Sequence, residues 1–174
     1  MVSAHRDFIR QVADLNFAVR FYENAIGQPD LTGVVESTIE MVEGVISNAD
    51  VSVFVLNSDS FEVHMAGNSE LLDARQSALE SCFTLDVVKE ICRWVHIGKL
   101  DEMCQAGLQA SPVILKSLSA AAVPFGKIGE PMGFILIHRN VGDPLLAEEL
   151  ESVAVITGAL SSVIKSMRNG QQAF

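Results

Sequence analysis

The sequence predicts an α+β fold, an antiparallel sheet with helices from the two ends of the chain on one face. Three observations point there. Two pairs of β-rich runs are each joined by a short polar or glycine-rich link, and hairpins force antiparallel pairing. The chain opens on two helical patterns and closes on a third. The first and the last of these carry apolar residues at heptad spacing, a seam that has to be buried.

Taken in order, Phe8, Val12, Leu15, Val19, Tyr22 and Ile26 follow spacings of 4, 3, 4, 3 and 4, a helix that Gly27 and Pro29 end. Asp30 is placed to cap a second helix running to about Asn48, with Leu31, Val34, Val35, Ile39, Val42, Val45 and Ile46 on one broad stripe suited to a sheet. Val51–Asn57 and Phe61–Gly67 read as strands around the turn Ser58-Asp59-Ser60. In the middle segment, about Asn68 to Pro112, the spacing predicts a helix from Leu85 to Ile97. Leu85, Val88, Ile91, Cys92 and Val95 share its inner face, and Gly98 is its stop. "VILKSLSAAAVPFG" and "MGFILIHR" read as a second antiparallel pair, the latter too apolar to alternate and so covered on both faces. Asp143-Pro144 marks a helix start, and Leu146, Leu150, Val153, Thr157, Leu160, Ile164 and Met167 form the second heptad seam.

Composition narrows the function. A length of 174 residues is a one-domain length. The formal charge of −10 gives neither nucleic acid nor an anionic membrane surface the clustered Lys and Arg they reward. No uncharged apolar run approaches the length of a membrane span, and the charged first residues do not read as a signal peptide, so the expectation is a cytoplasmic chain without a membrane partner. Cys82, Cys92 and Cys104 are an odd count with no CxxC, unlike a disulfide framework. Cys92 and His96 stand at i, i+4 on the predicted helix, but two ligands do not make a structural zinc site, and no metal is expected.

The pair "VSVFVLN…FEVHMAG", the later pair "AAAVPFGKIGEPMGFILIHRN" and the segment "DPLLAEELESVAVITGALSSVI" together resemble a GAF domain, the small-molecule sensor module of signalling proteins. The resemblance covers roughly Asp30 to Met167. It implies a five- or six-stranded antiparallel sheet with the N- and C-terminal helices on one face and a helical or loop lid on the other. It divides the chain into a dimerisation helix (1–28), a sensory domain with its C-terminal signalling helix (30–168) and a tail (169–174). Met65, Trp94, His96, Met103 and Cys104 fall where the family places its ligand. Partners implied are an unidentified small molecule, a second copy of the chain, and an output domain or a kinase or transcription partner.

Family chemistry beyond that is poorly matched. Pigment-attaching members place His after their cysteine, whereas Cys92 precedes Arg93 and Cys104 precedes Gln105. "HRNVGDPLLAEE" lacks the Lys and Phe of the cyclic-nucleotide signature. The cofactor is therefore unknown. Free methionine sulfoxide reductases are an enzymatic branch that uses cysteines in the middle region, but Ala120 stands where their substrate-binding acid belongs. The reading is a non-enzymatic sensor that binds a small molecule in an apolar pocket and signals through dimerising terminal helices. A pocketless dimerisation module and a reductase-like enzyme are the alternatives. The two seams favour the dimer: at 1.5 Å per residue the terminal helices reach ~28 and ~36 Å, longer than a ~23 Å strand, so some seam should overhang the sheet.

Overall fold

The computed structural model describes residues 31–65, 79–127 and 129–172. The first predicted helix, residues 8–26, lies outside them. Helix α1 (Leu31–Val45) leads into strands β1 (Asp50–Leu56) and β2 (Phe61–Met65). Helix α2 (Leu85–Cys92), strand β3 (Gly98–Lys99) and the short helices α3 (Leu100–Gln105) and α4 (Pro112–Ser117) follow. Strands β4 (Leu118–Lys127) and β5 (Glu130–Asn140) and helix α5 (Ala147–Gln172) complete the chain. Among the described residues the strands form one antiparallel five-stranded sheet in the order β2-β1-β5-β4-β3.

Each face of the sheet has its own core. Val51, Val53 and Val55 of β1, Ala121, Val123 and Phe125 of β4, and Ile135 and Ile137 of β5 face α1 and α5. The alternate residues face α2 and α3, with Phe54, Phe134 and Leu136 against Val88, Ile91 and Met103. Strand β5 is buried continuously from Met132 to Arg139, the two-sided cover its composition predicts.

Phe125, Gly126 and β5 form a bulge. Gly126 has φ +125°, a conformation that excludes a side chain, and its N–H donates to Ser161 Oγ of α5 at 2.8 Å. At the other end of β5, Arg139 is buried and donates to the carbonyls of Ser47, Asp143 and Pro144 and to both carboxylate oxygens of Glu149. One guanidinium thus ties together the α1–β1 turn, the β5–α5 turn and the first turn of α5.

Four elements depart from the sequence pattern. The predicted strand from Val113 begins only at Leu118, because Ser111 caps Ile114 N–H and Pro112 opens helix α4. Helix α2 stops at Cys92 rather than Ile97, and Val95, assigned to its inner face, is 82% exposed. Gly98 does not end a helix; it begins the edge strand β3. Helix α5 starts at Ala147 rather than Pro144, since Glu149 reaches back to accept the Leu146 N–H at 3.0 Å.

The seam of α5 is also used differently. Leu150, Val153, Ile156, Leu160 and Ile164 all sit in the core shared with the sheet and α1. Glu148 and Glu151 are exposed in its first turns, and from Ser152 to Ser166 its exposed positions are small, Gly158 and Ser162 among them. Ala147–Met167 is long and apolar enough to cross a bilayer by length and composition alone, and its apolar stripe serves this core.

Candidate ligand cleft

The site follows from how little of β4 the edge strand covers. Gly98 pairs with Ala122 and Lys99 with Ala121, and there β3 ends. Continued, the register would set Ile97 and His96 against Val123 and Pro124. The chain bends away over residues 93–97 instead, and Pro124 has no N–H with which to hold a neighbour. The gap is a cleft of about 730 Å³, lined by Trp94, His96, Pro124, Phe125 and, from α5, Ala154 and Thr157. That volume is in the range of small-molecule pockets.

Local structure fixes the two rings. Trp94 and His96 stack with centroids 5.5 Å apart and planes at 20°. Trp94 lies directly on Gly98, where an added Cβ would come within 2.1 Å of its ring, so this seat requires glycine. His96 Nε2 is 2.6 Å from Glu102 Oε2 on α3, and that hydrogen bond holds the Glu102 carboxyl below its ordinary range. The cleft thus has a flat aromatic wall, apolar sides and an imidazole oriented by a carboxylate. The edge of β4 offers few donors to a peptide strand, because Pro124 has none and Gly126 spends its own on Ser161.

The five residues expected at a site fall in three places. Trp94 and His96 meet in the cleft. Met65 ends β2 opposite Ser52, on the α2 face. Met103 is fully buried in the core of that face, and its neighbour Cys104 is half-buried on α3. The room expected beneath the middle segment holds aromatic packing: Phe54 stacks on Phe134 at 4.5 Å and on Phe61 at 5.9 Å, with Phe83 tilted against both Phe54 and Phe134. Sequence reasoning missed Pro124, Phe125, Ala154 and Thr157. A proline within a strand pattern marks a free edge, and that signal was available.

Cys92 and Cys104 are unlike activated thiols. Burial pushes the Cys92 thiol up to about 12, and burial, then Asp101, raises that of Cys104. Cys92 and His96 do not share a helix, and no group of three metal-ligating side chains occurs among the described residues.

No protein-family model and no curated protein matches the chain. Solved structures do. A GAF domain from a Pseudomonas syringae protein assigned as a sensor histidine kinase is similar at TM-score 0.65 and 14% identity, covering 98% of this chain and 97% of its own. The GAF domain of an Acinetobacter phosphoenolpyruvate-protein phosphotransferase gives 0.62 and 12%, covering 92% and 98%. The photosensory core module of a Stigmatella aurantiaca phytochrome gives 0.62 and 12%, covering 92% of this chain and 38% of that one. The fold is that of a GAF domain.

Proposed function

From a chain that folds as a GAF domain, we propose a sensory domain that binds a small molecule in the cleft beside Trp94 and His96 and reports it through α5. One observation carries the reading: the cleft has α5 as its far wall, at Ala154 and Thr157, so an occupant touches the closing helix directly. Binding that favours one position of α5 shifts the helix population by its differential affinity, with no further machinery. The occupant is flat and largely apolar, to match the Trp94–His96 stack and the Pro124–Phe125 side. The similar domains from a sensor histidine kinase and a phosphotransferase support an output partner of that kind for this chain. Dimerisation then runs through the heptad seam predicted at residues 8–26 and the small exposed positions of α5 from Ser152 to Ser166. The chain acts by binding rather than catalysis, in keeping with the raised thiols.

Native mass spectrometry of the purified chain tests this. A non-covalent small-molecule adduct is expected, and Ala154→Trp, at an exposed helix position on the cleft, should remove it. An adduct that survives this filling, or none in the wild type, refutes the cleft. The packed phenylalanines of the α2 face favour a second reading, a dimerisation module without a ligand, and the adduct-free spectrum is its signature.

A further inference from the structure

We infer that His138 and Arg139 form a relay that couples the α2 side of the sheet to the first turn of α5. They are neighbours on β5 and so point to opposite faces. On the α2 face His138 is fully buried, with Nε2 3.3 Å from Glu80 Oε1, and Ser52 donates to the same oxygen at 3.1 Å. Glu80 stands just before α2, between Leu79 and Phe83, which belong to that face's core. On the other face Arg139 donates to Glu149 Oε2 at 3.0 Å and Oε1 at 2.5 Å. Glu149 in turn accepts the Leu146 N–H that begins α5. A rotation or slide of β5 at this point moves both anchors together.

The α2 end of the relay has two arrangements within reach. His138 lies between two carboxylates, Glu80 at 3.3 Å from Nε2 and Asp50 at 3.7 Å from Nδ1, and no other charged side chain contacts it among the described residues. Of the two approaches, only that of Glu80 to Nε2 is within hydrogen-bond distance. In the present arrangement Nδ1 and Glu80 Oε2 have no hydrogen-bond partner among the described residues. A buried polar network left half-satisfied is costly, so this end is poised rather than locked. A move of Glu80 with α2 exchanges its bond for the one to Asp50 and shifts the end of β5. The relay does not depend on what the cleft binds.

Hydrogen exchange on the full chain tests the coupling. Glu80→Gln should change exchange of the α5 amides at 147–152 by about fivefold or more, and Glu149→Gln should do the same to residues 80–92, since coupling between sites is reciprocal. Ser52→Ala removes only the donor to Glu80 and should act in the same direction, which serves if Glu80→Gln fails to fold. Ile91→Val, in the same core without a polar group, is the control and should leave the α5 turn no more affected than the sheet. Changes confined to the mutated face, or an Ile91→Val effect equal to that of Glu80→Gln, overturn the relay.

Discussion

Gly98→Ala is a small change whose effect can be worked out from the structure. The new methyl would lie 2.1 Å from Trp94 Cζ3, 2.5 Å from Cε3 and 3.0 Å from Cη2. Carbon atoms in contact sit about 3.5–4 Å apart, so the ring has to withdraw by roughly 1.5 Å. Trp94 is half-buried, so it can withdraw toward the cleft, giving up its stack on His96. The lost stack costs about 0.5–1.5 kcal/mol. Replacing a strand glycine by alanine returns about 0.5–1 kcal/mol of backbone entropy. Stability should therefore change by less than about 1 kcal/mol while the ring moves. Trp94 is the only tryptophan in the chain, so its fluorescence reads the movement without background. The expected result is a red-shifted emission and easier quenching by acrylamide, with an almost unchanged urea midpoint and weaker retention of any cleft ligand. Emission and quenching identical to wild type would show that Trp94 is not seated on Gly98.

Arg139→Ala should lower stability by about 3–5 kcal/mol in urea denaturation, because it strips a buried guanidinium from Glu149 and three carbonyls; a loss below about 1 kcal/mol would contradict the anchoring role. The Glu149 carboxyl, held below its ordinary range first by the hydrogen bond from Arg139, has a folded pKa beneath the unfolded value of about 4.3, so its contribution is complete above that value and lost as pH falls through the folded one. The stability gap between wild type and Glu149→Gln should accordingly shrink on acidification below the unfolded value, and a constant gap speaks against the linkage. Cys92, with its thiol pushed up to about 12, should resist a thiol reagent at pH 8 until the chain is unfolded, and rapid labelling in the folded state would rule out the packing described. Leu160→Glu should unfold the protein, since Leu160 is fully buried, whereas Gly158→Arg, at an exposed position with open space, should leave a folded monomer; a wild type that already sediments as a monomer at high concentration removes the dimer.

What could be read from the sequence was local. The hairpin β1–β2 was legible because Ser58-Asp59-Ser60 separates two β-branched and aromatic runs, and Leu56 does pair with Phe61. The α1 stripe was legible because Val34, Val35, Ile39 and Val42 repeat at helical period, and all four are buried. The seam of α5 was visible, but its destination was not: a 3–4 spacing looks the same whether the helix lies on its own sheet or on a second copy. Strand β3 has two residues and no period to detect. The cleft arises where two strands part, and parting depends on the tertiary path of residues 93–97. Three of the five expected site residues, Met65, Met103 and Cys104, belong to the other face of the sheet, where aromatic packing fills the room; separately, helical spacing from Leu85 to Ile97 placed Val95 inside and hid the turn at Arg93. His138 and Arg139 looked like polar residues at a strand end; their partners lie 58 and 10 positions away.

The strand order has a consequence for how such a chain changes over evolutionary time. The central strands β1 and β5 are brought together from opposite halves of the sequence, and β2 and β4 reach them through hairpins. Among the described residues between β2 and β4, the sheet's hydrogen-bond ladder is met only through the two pairs of β3 at its margin. Changes of length there need not break the main ladder, provided the packing of Val88, Ile91 and Met103 on the sheet is kept. The architecture separates the hydrogen-bonded frame from a region that is tied to it by side-chain packing. A new recognition surface can then be tried out at the margin without first dismantling the frame that reports it.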